Sequence, residues 1–129
     1  MSKADLPLTD KEFYAGSSTL RIGKDLTKTL LERSPELDCI YYSSDVLAAG
    51  GLMHCLENNI AVPGQLGLAG FNGLDFREGL PALTATTYAF RKEIGTKAAQ
   101  MVVEAHKTDQ KRSHRTVTFE PEIEVGDTL

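Results

Sequence analysis

Between Cys39 and Gly73 two short apolar runs flank one helix-like segment, and this order leaves few folds open. The first run, Cys39-Ile40-Tyr41-Tyr42 within residues 37–43, is continuous and β-prone, the pattern of a strand covered on both faces. The second, Leu66-Gly67-Leu68-Ala69-Gly70-Phe71, is of the same kind, with glycines that permit close backbone approach. Two strands joined through a helix run parallel, because a parallel crossover needs a dozen or more residues where a hairpin needs two. Each run ends in small polar residues, Ser43-Ser44-Asp45 and Asn72-Gly73, and open α/β sheets bind ligands outside the carboxyl ends of their strands. The pairing points to a small-molecule site.

The rest of the chain extends this pattern. Residues 12–15 read as a short strand, and Gly16-Ser17-Ser18 as a turn whose serines cap a helix over 20–32. Ile22, Leu26 and Leu30 give that helix one apolar face, and Pro35 ends it. Ser44 suits the N-cap of a second helix, 45–58, with a buried stripe of Val46, Ala49, Met53, Leu56 and then Ile60, while Asn59 suits a left-handed C-terminal position. After the Val62-Pro63-Gly64 turn and the second strand, residues 72–81 read as a loop carrying Asp75, Arg77 and Glu78. Residues 84–88 are extended. Residues 91–107 form an amphipathic helix through Ile94, Ala98, Met101, Val102 and Ala105, and 116–119 form a last strand. The order β-α-β-α-β-β-α-β implies an α/β fold, a mainly parallel three-layer sheet with helices on both faces.

Composition bounds the function. A chain of 129 residues with 41% apolar and 25% charged residues fits one globular domain that buries roughly two-thirds of its unfolded surface. No apolar run approaches the roughly 18 residues of a membrane span, so no membrane partner is expected. A net charge of -4 argues against duplex DNA binding by this chain alone, since phosphate neutralisation demands a basic surface. The basic cluster Lys111-Arg112-Ser113-His114-Arg115 reads as a solvated loop. Cys39 and Cys55 lack CxxC spacing and read as buried free thiols of a reducing, cytoplasmic environment; Met1 to Asp5 show no apolar targeting core. There is no GxSxG, GxxxxGK[ST] or HExxH motif, and the histidines at 54, 106 and 114 are too scattered for a metal site. No enzyme activity, metal or cofactor is expected.

Five motifs then stand in a specific order: Ser44-Asp45 with Leu47-Ala48-Ala49-Gly50, Asn59-Ile60-Ala61-Val62-Pro63, Leu68-Ala69-Gly70-Phe71-Asn72-Gly73, Pro81-Ala82-Leu83-Thr84, and Glu93-Ile94-Gly95-Thr96-Lys97-Ala98-Ala99. Together they resemble the ligand-binding core of the LacI/GalR repressors, over about residues 17–129. Gly70-Phe71-Asn72-Gly73-Leu74-Asp75 and the ending Thr118-Phe119-Glu120-Pro121-Glu122-Ile123-Glu124-Val125-Gly126 look closest to gluconate-operon repressors. The resemblance implies a periplasmic-binding-protein-like effector domain, of which this chain matches the second half. Residues 1–88 would be carboxy-terminal subdomain, 89–119 a crossover helix and strand of the amino-terminal subdomain, and 120–129 a return to the carboxy-terminal subdomain. It implies a sugar or sugar-acid effector, a homodimer, and DNA contact only through an amino-terminal domain outside this sequence. A periplasmic-type sugar-binding protein for transport shares the fold and is the alternative; a sugar-modifying α/β enzyme would need an acid and base pair that the residues do not supply.

The effector contacts expected are Ser44, Asp45, Asn72 and Tyr88 by the same resemblance, and Arg77 as the nearest cation in sequence. Ser44 occupies a position where the family places a ligand-binding Asn or Ser, with Asp45 orienting the helix start and bracing the site. Asn72 stands where the family usually has Asp; a neutral amide both donates and accepts and does not repel a bound carboxylate. Arg77, or else Arg21, would supply the cation an acidic effector needs, and Tyr88 and Phe90 a surface for a sugar ring. After Leu83-Thr84 the chain carries one residue more than the family pattern, so the correspondence over 86–90 holds to within one position. If the amino-terminal partner of helix 91–107 is absent, its apolar stripe must find a substitute, and self-association through that helix is expected.

Overall fold

The computed structural model describes residues 10–107 and 115–129. Its elements are α1 (Leu20–Arg33), β1 (Cys39–Tyr41), α2 (Asp45–Glu57), β2 (Gly67–Asn72), a short 3-10 helix (Asp75–Gly79), β3 (Ala85–Tyr88), α3 (Arg91–Lys107) and β4 (Glu122–Glu124). The four strands form one sheet in the order β1-β2-β3-β4. β1, β2 and β3 are parallel, with Cys39 opposite Gly67 and Ala69 opposite Ala85, and β4 pairs antiparallel to β3. The mainly parallel sheet is the one the strand and helix order implies.

Local chemistry accounts for the helix boundaries. Thr19, rather than Ser17 or Ser18, caps α1 by accepting from the Ile22 N–H. Ser44 caps α2 through its Oγ and the Val46 N–H, and Asn59 takes the expected left-handed conformation, φ 56°. Of the predicted stripe, however, α2 fully buries only Ala49: Leu56 is 52% exposed, Val46 and Met53 are half-buried, and Leu47, Ala48, Leu52 and Cys55 are buried beside Ala49. The cause is a second helix against it. A Cβ on Gly50 would lie 2.2 Å from the Leu20 carbonyl oxygen, and one on Gly23 would lie 2.2 Å from that of Leu47, so α1 and α2 meet backbone to backbone. With α1 on one side and the sheet on the other, α2 is buried around most of its circumference, which a one-stripe reading underestimates.

The core joins Leu30 of α1, Leu47, Ala48, Leu52 and Cys55 of α2, and Ile40, Tyr42, Leu66 and Leu68 on one face of the sheet. Within it the Thr27 hydroxyl donates to the Gly23 carbonyl at 2.7 Å and lies 2.7 Å from the Tyr42 hydroxyl, so a buried tyrosine is satisfied. Burial raises the Tyr42 phenol above its ordinary pKa. The opposite face is open: β1 alternates, with Ile40 inside and Cys39 and Tyr41 outside, so the strand is covered on one face and the Cys39 thiol is exposed, against expectation; Cys55 is buried. The Tyr41 hydroxyl reaches across this open face to Thr87 Oγ1 at 3.3 Å.

Two expected strands do not form. Residues 12–15 are irregular; Asp10 and Glu12 are instead held by Arg33 at the end of α1, and a cavity of about 710 Å³ lined by Phe13, Tyr14, Leu30, Ile40 and Tyr42 separates the segment from β1. It forms no ladder with β1, the edge strand on the far side of that cavity. Residues 116–119 are likewise irregular, and pairing to β3 falls on Glu122–Glu124. Of the basic cluster, residues 111–114 lie outside the described residues, and Arg115 bonds Glu104. No residue of α3 is buried; Ile94 and Val102 of its apolar stripe are exposed, as is the neighbouring Val103. The chain end closes the other end of the sheet: Thr128 Oγ1 donates to the Leu68 carbonyl and accepts from the Ala85 N–H, bridging β2 and β3.

Candidate functional site

Because β1, β2 and β3 are parallel, their carboxyl ends lie along one edge and bring Ser44, Asn72 and Tyr88 to it. The residue that fastens this edge is Asp45, the first residue of α2 and fully buried. Its Oδ2 accepts from the Leu74 N–H at 2.7 Å, and its Oδ1 accepts from the Thr86 hydroxyl at 2.5 Å. Thr86 in turn accepts from the Gly73 N–H at 3.2 Å. One carboxylate therefore holds the backbone after β2 both directly and through β3. It fits only because residue 70 has no side chain: a Cβ there would stand 2.5 Å from Asp45 Oδ1.

Asn72 sits where these restraints converge. Its register partner is Tyr88, the next two N–H groups are the anchored ones, and its φ is 110°, a conformation side-chain-bearing residues seldom adopt. Backbone held this way costs of order 1–3 kcal/mol and persists where the surroundings over-determine it. The Asn72 amide makes no hydrogen bond to the described residues, so it does not cap the turn. Tyr88 lies over Gly73 and meets Phe90 edge to face, with centroids 5.0 Å apart.

Ser44 is buried and its Oγ is engaged by the Val46 N–H. Beside it, the exposed Ser43 belongs to a hydroxyl cluster that the sequence reading missed: the Tyr14 hydroxyl lies 2.8 Å from Ser18 Oγ and 3.5 Å from Ser43 Oγ. Those hydrogen bonds, Ser18 first, pull the Tyr14 phenol below its ordinary pKa. Nothing but the placing of hydroxyl residues at a strand end and a helix start could have signalled it.

Arg77, the expected effector cation, is enclosed by the fold. It is 5% exposed; Nη1 donates to the Thr84 carbonyl at 2.5 Å, Nη2 donates to Glu124, and Nε faces Asp45 Oδ2 at 3.9 Å. The expected loop is here the short 3-10 helix that buries this side chain. Arg21, the other candidate, projects from α1 with a 91% exposed side chain, loosely paired with Asp25. No group of three metal-ligating residues occurs among the described residues.

A family model described as a periplasmic binding protein-like domain matches residues 2–129. The chain belongs to this family. Within it, the domain is 37% identical over 113 residues to the HTH-type transcriptional regulator IdnR of Escherichia coli K12, covering 87% of this chain and 33% of the relative. A crystal structure of a LacI family transcriptional regulator from Silicibacter pomeroyi superposes with a TM-score of 0.81 and 48% identity, over 91% of this chain and 35% of that one. The transcription regulator GntR from Chromobacterium violaceum gives a TM-score of 0.80 at 25% identity, over 87% of this chain and 41% of that one. These relatives are transcriptional regulators rather than enzymes, and the domain spans about a third of their length. No described helix is long and apolar enough to cross a membrane.

Proposed function

We propose that this domain is one wall of the effector cleft of a LacI/GalR-type transcriptional regulator that responds to a sugar acid of the gluconate class. The observation that carries the reading is Asn72: a neutral amide without a hydrogen bond to the described residues, presented at a strained position between Ser44 and Tyr88 at the carboxyl edge of the sheet. An amide there can hydrogen-bond a carboxylate or hydroxyl without adding charge, where an aspartate would repel an acid. Ser44 and Tyr88 flank it, Tyr88 with Phe90 offering ring faces, and Asp45 braces the edge from beneath. The exposed α3, with its chain returning as β4, supports a division in which 1–88 and 120–129 form the carboxy-terminal subdomain and 89–119 reach into the opposing one.

In this reading the effector closes two subdomains by binding the closed state more tightly. Operator binding, dimerisation and a cytoplasmic location belong to the complete regulator, and the domain itself is no enzyme. The relatives favour regulation over transport. Calorimetric titration of the complete polypeptide with D-gluconate, related aldonates and neutral sugars tests the reading: binding of an aldonate is expected, and tight binding of a neutral sugar with no heat from any acid overturns it.

A further inference from the structure

Arg77 is the one buried cation among the described residues. Burying a guanidinium is expensive, and an apolar residue of similar volume often stabilises a fold at least as well, so its presence asks for a reason. The reason lies in what it joins. Arg77 stands on the 3-10 helix that continues the Asn72 loop, its own N–H donating to the Leu74 carbonyl. From there its side chain reaches the carbonyl just before β3, the carboxylate of Glu124 on β4, and the neighbourhood of Asp45.

Glu124 is the register partner of Thr86, the residue that relays the Asp45 hydrogen bond to Gly73. The backbone that follows Asn72 is thus held from two sides, by Asp45 with Thr86 from within and by Arg77 with Glu124 from the β4 side. Planar guanidinium geometry suits this, since two separate nitrogens meet two acceptors on different segments and a lysine reaches only one of them. The remaining Nε makes no hydrogen bond to the described residues and faces Asp45 Oδ2 at 3.9 Å, inside the fold. The side chain acts on recognition through the loop.

We propose that Arg77 and Glu124 are positioning residues for effector recognition: they lock the Gly73–Gly79 loop against β3 and β4 so that Asn72 is presented in its recognition geometry. This rests on the reading that Asn72 contacts the effector. The test is calorimetry of the complete regulator with D-gluconate, well below its melting temperature, for Glu124→Ala, Glu124→Gln, Arg77→Lys and, as a separate control, Asn72→Ala. Glu124 is half exposed while Arg77 is buried, so the melting temperature of each variant is measured beside its affinity and binding is compared only among folded proteins. Glu124→Ala and Arg77→Lys are expected to weaken gluconate at least about 5-fold, and Glu124→Gln, which keeps an oxygen acceptor for Arg77, to restore affinity to within about 2-fold of the parent. Unchanged affinity in Glu124→Ala with only a lower melting temperature makes the pair purely structural and overturns the proposal, as does equal weakening by Ala and Gln. If Asn72→Ala binds gluconate like the parent, the effector reading itself fails, whatever the Arg77 and Glu124 variants show.

Discussion

Replacing Asp45 by alanine removes the centre of the site's framework, and its cost follows from the bonds lost. The Leu74 N–H loses its acceptor, the Thr86 hydroxyl loses a partner at 2.5 Å, and Arg77, buried 3.9 Å from the carboxylate, keeps only Glu124 to balance its charge. A buried donor left unsatisfied costs about 1–3 kcal/mol, and breaking one side of a buried charge pair about 3–5 kcal/mol. These overlap, so we expect a loss of about 3–5 kcal/mol. Total stability for a chain this long is roughly 6–19 kcal/mol, so the variant remains folded at low temperature but with its urea midpoint sharply reduced. Asp45→Asn, the same shape, still places an NH2 against one of two donors and should lose about 2 kcal/mol. Equilibrium urea denaturation followed by circular dichroism measures both. A loss below about 1 kcal/mol for Asp45→Ala refutes the account of Asp45 as the anchor of the strand ends.

Gly50→Ala should destabilise by at least about 3 kcal/mol, because its Cβ would stand 2.2 Å from the Leu20 carbonyl and force α1 off α2; thermal melting checks it, and a neutral result would contradict the close helix contact. Arg33 holds the Asp10 carboxyl down to about 2, chiefly through their hydrogen bond, with Ser34 adding to it. A depressed carboxyl stabilises the fold above its unfolded pKa, and that contribution disappears as pH falls from about 4 through about 2. Carboxyl carbon chemical shifts should therefore titrate Asp10 near the lower value, and Arg33→Ala should raise it toward the ordinary aspartate range, with Ser34 still holding part of the depression. A disulfide reagent should modify one thiol per native molecule, the exposed Cys39, while Cys55, buried and pushed up to about 11, reacts only after denaturation. Rapid modification of both would place Cys55 wrongly.

Features set by neighbouring residues in the chain were legible from sequence. The cap at Ser44, the left-handed Asn59, the parallel β1-α2-β2 unit and the span of α3 all follow from short-range pattern. Features set by distant contacts were not. α2 hides the wrong-looking face because Gly23 and Gly50 admit α1, a choice visible only once both helices are placed. Residues 12–15 carry strand chemistry but stand across a cavity from the β1 edge. At the site, Ser44, Asn72 and Tyr88 could be ordered along one edge from the strand ends, yet Arg77 read as a loop cation for the effector, and its enclosure by Thr84 before β3 and Glu124 on β4 depends on distant segments. The Tyr14, Ser18 and Ser43 hydroxyls meet across 29 positions of chain, and no spacing rule announces such a meeting.

The central claim is that a neutral residue at position 72 suits the site to an acid. It is tested most directly by calorimetric titration of the complete regulator with D-gluconate, comparing the parent with Asn72→Asp at neutral pH. The account predicts binding by the parent and at least about 10-fold weaker binding by the aspartate variant, from like-charge repulsion in a partly desolvated cleft. Equal gluconate affinity in the two proteins would contradict it.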